Sequence, residues 1–280
     1  MKATMKTTMK TATTRSTARR RMLAVALALT ATLVAPAAWA QAWPAKPLRV
    51  VVNFPPGGAA DQLARIIAQP LQEALGQPVV VENRGGAGGN VGGDAVAKAA
   101  ADGYTLLFSS GGMVSVNPHI YARMPFDPAK DLVPVAAAAR VLVFLVVRSE
   151  SPITDFKGFL AELKARPGRL SFGSPGNGSS PHLATEMMKS MTGTFAVHVP
   201  YRGAAPALTD LLAGQIDFLF DPGIAVPHIR SGKLRLLAVG SPARSPLFPD
   251  MPTLQEAGLA GFDATPCSVS TRRPARPWRW

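Results

Sequence analysis

Residues 48–61 read LRVVVNFPPGGAAD, and this stretch decides the fold. Its opening, 48–54, is a nearly continuous apolar run rich in β-branched residues. That is the pattern of a strand covered on both faces rather than on one. Pro55-Pro56-Gly57-Gly58 breaks the strand. Residues 61–75 (DQLARIIAQPLQEAL) then place Leu63, Ile66, Ile67 and Leu71 at helical spacing, with a kink expected at Pro70 and a stop at Gly76. Strand, glycine loop and helix in this order belong to an α/β protein, whose ligands sit in loops beyond the carboxyl ends of the strands.

The same rhythm continues along the chain. Strands are predicted at 78–81 and 104–109, with a helix between them that follows the glycine loop 84–93 and ends by residue 100. Further on, helices at 156–165, 182–191, 205–212 and 225–230 precede strands at 170–173, 195–200, 216–220 and 234–239. This alternation predicts mostly parallel sheets with helices on both faces. The apolar, β-rich stretch 133–147 (VPVAAAARVLVFLVV) reads as the crossing between two lobes. Lobe one is assigned to 41–142, lobe two to 143–245, and a return segment to 246–263.

Charge confirms that the ends differ from the body. The 280 residues hold 30 Lys+Arg against 17 Asp+Glu, a formal charge of +13. Such an excess suggests nucleic acid. Seven of the basic residues precede residue 43 and four follow residue 263, with no acid in either segment, so the body carries only +2. A nucleic-acid-coating body is therefore excluded. With 47% hydrophobic and 17% charged residues the chain is globular, not disordered. The single cysteine, Cys267, excludes an internal disulfide, and His119, His182, His198 and His228 show no metal-ligand spacing. No cofactor is implied.

Arg19-Arg20-Arg21, the apolar run 22–34 and Ala38-Trp39-Ala40 have the layout of a cleavable secretory signal. The run is short for a membrane-spanning helix, which needs about 20 residues. Residues 1–40 are expected to be removed after Ala40, leaving a periplasmic chain that starts at Gln41.

Three loops carry the chemistry. In the first, Pro56, Gly57, Gly58 and Asp61 bring backbone amides to a helix N-terminus, where N–H groups and the helix dipole favour a carboxylate or phosphate. Asp61 also suits a simple capping role. The second, 171–182 (SFGSPGNGSSPH), repeats the design with Ser174, Gly176, Gly178 and Ser179. The third holds Ser109 and Ser110 after the third strand. A serine hydrolase using Ser110 or Ser179 with His182 is the rival reading. The G-x-S-x-G elbow fails, because Phe172 and Asn177 stand where its first glycine belongs. The glycine-rich 85–93 stretch has no G-x-G-x-x-G register and supplies no dinucleotide fingerprint.

Residues 43–58 (WPAKPLRVVVNFPPGG), 81–90 (VENRGGAGGN), 102–106 (DGYTL), Asn117-Pro118, 199–203 (VPYRG), 232–235 (GKLR) and 249–253 (PDMPT) together resemble the Bug-type solute receptors of tripartite tricarboxylate transporters. The likeness spans 43–263. It implies a type II periplasmic-binding-protein-like fold, two lobes closing on a small carboxylate, with the first two loops gripping it through backbone amides. It also implies that Asp221 faces the cleft and reads a polar or amino group, although Pro222 replaces the family's usual asparagine. By the same resemblance the protein is a monomer that hands its ligand to membrane transporter subunits or a sensor, with no enzymatic role.

Residues 264–280 depart from that family, which continues further and completes lobe one. The segment TPCSVSTRRPARPWRW (265–280) shows no helical or strand period. Codons for it, read two bases later, permit PLLGLYAPAGTPVAL, a family-like stretch. The tail is therefore read as the product of a frameshift after Ala264, with a lineage-specific basic tail as the alternative. A truncated receptor that exposes core surface and binds poorly is the corresponding expectation.

Overall fold

The computed structural model describes residues 43–265 and 267–274, so the leader read at 1–40 lies outside the described residues. The first lobe contains β1 (Leu48–Val52), α1 (Ala59–Leu75), β2 (Val79–Asn83), α2 (Asn90–Ala97), β3 (Thr105–Ser110), the short helices α3 (Gly112–Ser115), α4 (Asn117–Ile120) and α5 (Pro128–Asp131), and β4 (Val133–Arg140). The second contains β5 (Phe144–Arg148), α6 (Phe156–Ala165), β6 (Ser171–Ser174), α7 (Ser180–Thr192), β7 (Val197–Pro200), α8 (Ala204–Leu212), β8 (Phe218–Asp221), α9 (Val226–Arg230) and β9 (Leu234–Val239). A final strand, β10 (Cys267–Arg272), returns to the first lobe.

Each lobe is one five-stranded sheet, ordered β2-β1-β3-β10-β4 and β7-β6-β8-β5-β9. The parallel pairs are those the strand–helix rhythm predicts: β1 with β2 and β3, and β6 with β7 and β8. The fourth position of each sheet is antiparallel to both neighbours. These two strands, β5 and β10, are the ones that arrive from the other lobe. Phe144 at the start of β5 pairs with Asp221 and Val239, the last residues of β8 and β9. A strand entering from the hinge begins where its neighbours end, so it must run against them.

Both faces of the central strands are buried, as the apolar runs require. In β5, Leu145 and Val147 join the core that holds Phe159, Phe172, Phe218 and Phe220. Phe144 and Val146 join the opposite core with Leu208, Leu211 and Leu236. In β1, Val51 faces one core and Val50 with Val52 the other. The helix α1 runs on through Pro70 and stops at Gly76, whose φ of 64° is left-handed and suits glycine.

The hinge is a three-stranded knot of backbone. Residues 141–143 lead out of lobe one, the Gly240 N–H donates to Val143 O at 2.8 Å, and the Ala264 N–H donates to Gly240 O at 2.9 Å. Gly240 has no room for a side chain, because a Cβ would stand 2.7 Å from Val143 Cγ2.

The segment after Ala264 differs from its sequence reading. Cys267–Arg272 forms β10, hydrogen-bonded between β3 and β4 with register shifts at Ser268/Val269 and Ser270/Thr271. The reason is that a ladder needs only extended, proline-free backbone. Residues 267–272 provide it between Pro266 and Pro274.

Candidate functional site

The loop after β1 is built around Asp61. The left-handed φ of Gly57 (81°) turns the chain so that its N–H donates to Asp61 Oδ2 at 3.0 Å. Asp61 Oδ1 accepts from Arg65 Nε at 3.1 Å and Asn83 Nδ2 at 2.9 Å. Burial alone would push this carboxyl up, but the Gly57 amide, Arg65 and Asn83 together hold it below the usual carboxylate range. Asp61 thus braces the loop from behind. The residues it leaves at the front, Gly58, Ala59 and Ala60, line a cleft between the lobes. The first amides of a helix have no partner inside the helix, so α1 presents donors there.

The loop after β6 mirrors this from the second lobe. Gly176 (φ 130°) and Gly178 (φ 77°) shape it. The Ser179 hydroxyl donates to Gly176 O at 2.6 Å, and the buried Ser174 lies 2.6 Å from His198 Nε2. Ser179, Ser180 and Pro181, at the start of α7, face the same cleft as α1. Pro175 and Ala204, the first residue of α8, complete the second-lobe wall with Pro222, and Val141 contributes from the hinge. The cleft holds about 70 Å³, several times the roughly 10–15 Å³ that one water needs.

Among the predicted residues, Gly58, Ser110 and Ser179 line the cleft, and the others stand around it. Pro56 and Gly57 are exposed outside it, Gly176 and Gly178 shape a loop, and Asp61, Ser109, Ser174 and Asp221 are buried. Ser109 shows why. In a strand, neighbours point to opposite faces, so while Ser110 faces the cleft, Ser109 turns inward to accept from Asn53 Nδ2 at 2.8 Å. Phe54, Val141, Pro175 and Ala204 were not singled out. Their one sequence signal is position at a strand end or the hinge, since apolar side chains carry no chemical mark.

The serine–histidine pairing expected of a hydrolase does not form at the cleft. His182 Nδ1 accepts from the Gly178 N–H at 3.2 Å, and no hydrogen bond joins His182 to Ser110 or Ser179 among the described residues. The pair that does form, Ser174 with His198, has its serine 1% exposed.

Two titratable groups behind the site pull stability in opposite directions. The His182 and His198 rings stack at 4.2 Å, with Phe172 over His198 at 4.7 Å. Burial, then the neighbouring His182 charge, pushes His198 down to about 4, with Lys189 adding to this and Glu186 opposing it. Between about pH 4 and 6.5 the unfolded chain binds the proton and the folded one does not, so this histidine costs stability as pH falls. Asp221 works the other way. Its Oδ1 accepts from the Gly223 and Ala225 amides at 2.7 Å each, Oδ2 has no partner, and burial pushes its pKa up to about 7 from an ordinary 3.8. It stabilises the fold fully below 3.8 and loses that contribution as pH rises to about 7. Asp221→Asn should therefore unmask the histidine slope. Urea unfolding should show the variant gaining stability from pH 4 to 6.5 more steeply than the parent, and parallel curves would refute this account.

The fold sets a cleft between two α/β lobes at the carboxyl ends of their parallel strands. The chain belongs to the TctC family, described as tripartite tricarboxylate transporter family receptors, whose model matches residues 63–274. It is 44% identical to protein BugT of Bordetella pertussis over 230 residues, covering 81% of this chain and 70% of BugT. Among solved structures, an R. palustris protein with adipate is 37% identical with a TM-score of 0.81, the match covering 84% of this chain and 79% of that one. MatC from Rhodopseudomonas palustris with bound malate is 32% identical with a TM-score of 0.79, covering 84% and 80%. The two mixed sheets flanked by helices are the periplasmic-binding-protein architecture that the resemblance implied.

Proposed function

We propose that this protein captures a small organic acid between its lobes in the periplasm and delivers it to the membrane subunits of a tripartite tricarboxylate-type transporter. The observation that carries this reading is the meeting of α1 and α7, one from each lobe, with their N-termini at one cleft that no cationic side chain among the described residues lines. Each N-terminus is equivalent to roughly half a positive charge. An anion held between them bridges the lobes and draws them together, which is the hinge closure of a binding protein. The adipate and malate bound by two similar structures support a carboxylate. The signal read at residues 1–40 supports export, and no helix among the described residues is long and apolar enough to cross a membrane.

A thermal-shift titration of the mature chain with carboxylates tests the proposal. A ligand at a hundred times its Kd adds about 2.7 kcal/mol. At about 2–4 °C per kcal/mol for a chain of this size, that raises Tm by about 5–10 °C. Absence of any shift across mono-, di- and tricarboxylates would refute it. Turnover of an ester abolished by changing Ser110 or Ser179 would instead establish the hydrolase.

A further inference from the structure

The walls of the cleft say which acid it takes. Thirteen of the described residues line it, and none of them is Asp, Glu, Lys, Arg or His. The polar side chains are three serines, Ser110, Ser179 and Ser180, and Ser179 already gives its proton to Gly176 O. The rest is apolar, including Phe54, Val141 and four prolines, which have no backbone N–H to offer. The Asp221 carboxylate behind this wall is sealed off. Pro175, Ala204 and Pro222 line the cleft on one side and on the other a tight space bordered by Asp221, too small to admit a water. Asp221 is 1% exposed and its Oδ2 has no partner. Neither water nor a ligand group reaches it.

From these observations, and resting on the carboxylate-receptor reading above, we infer that the cleft selects acids with an unsubstituted apolar body, and that the wall of Pro175, Ala204 and Pro222 denies a ligand ammonium access to Asp221. An ammonium in this cleft would lose its water and gain no anion, which is the costly case for a buried charge. A hydroxyl is a milder misfit, since only the few serine hydroxyls of this wall can replace the water it gives up. The apparent pKa of Asp221, raised to about 7 by burial, fits a carboxyl that no cation approaches.

Succinate, malate and aspartate test this directly, because they share two carboxylates and a four-carbon skeleton and differ at one carbon by H, OH or NH3+. Calorimetric titration of the mature chain should place succinate about tenfold tighter than malate and about a hundredfold tighter than aspartate. Pro222→Gly should raise aspartate affinity at least about tenfold while leaving the order of the other two unchanged, and adding Asp221→Asn should remove the gain. Circular dichroism and Tm report whether both variants fold. If Pro222→Gly does not fold, the order of affinities in the parent chain decides the matter alone. Aspartate or malate binding as tightly as succinate overturns the inference while leaving the receptor reading intact. Silence from all three acids, and from adipate added as a longer apolar dicarboxylate, removes the receptor reading and the inference with it.

Discussion

Gly112→Ala is expected to weaken ligand binding about 100-fold with the fold intact. Gly112 opens α3 at the end of β3, and a Cβ there would stand 2.6 Å from Gly178 O in the opposite lobe. Real carbon–oxygen contacts do not come so close, so the lobes could not meet as they do here. The same seam leaves Gly88 no space, since its Cβ would meet Asn177 O at 2.9 Å. A ligand held by amides from both lobes then sees the binding-competent form only as a small fraction, and its apparent Kd rises by the inverse of that fraction. Within its own lobe the substitution is benign, because Gly112 is helical and alanine suits a helix better than glycine, by about 0.5–1 kcal/mol. Calorimetry should show the lost affinity and small-angle scattering a more open molecule with an unchanged Tm. Parent-like affinity would show that closure does not pass through this seam.

Phe218→Ala is expected to have the largest effect on stability, about 3–5 kcal/mol. The Phe218 ring is fully buried in the second lobe, edge-on to Phe159 at 4.8 Å and stacked on Phe172 at 5.7 Å. Removing it leaves a cavity among rings anchored on α6, β6 and β8, none of which moves freely to fill it. Against a total stability of about 5–15 kcal/mol, the loss takes roughly a fifth or more of the margin. Denaturant unfolding should show a lower midpoint with a similar slope. A cost under about 1 kcal/mol would mean that the aromatic cluster repacks.

The alternation of elements was legible because it rests on hydrophobic periodicity, which is local. Leu48–Val52 declares a two-sided strand by composition alone, and the burial of both its faces agrees. Helix α6 at Phe156–Ala165 and strand β9 at Leu234–Val239 fall where the period places them. Strand direction was less legible. That β5 and β10 run against their neighbours depends on the hinge feeding each sheet from its cleft end, and no residue type encodes this. The strand at Cys267–Arg272 was missed for a related reason: its slot is defined by the free edges of β3 and β4, not by a period of its own.

The candidate site divides the same way. The amino-acid sequence by itself determined the class of protein, the two loops that bring helix N-termini to the cleft, and the neutrality of the body, because glycine loops, apolar runs and charge are properties of neighbouring residues. Only the tertiary structure decided which side of each loop faces the cleft. Asp61 turned out to be a brace held by Gly57, Arg65 and Asn83 rather than a group at the cleft wall. Asp221 lies behind Pro175, Ala204 and Pro222 instead of facing the cleft. A carboxylate has the same chemistry in sequence whether it grips a ligand, holds a loop or is sealed in the interior. What separates these roles is the direction of a side chain and what is packed in front of it, and both are set by residues far away along the chain.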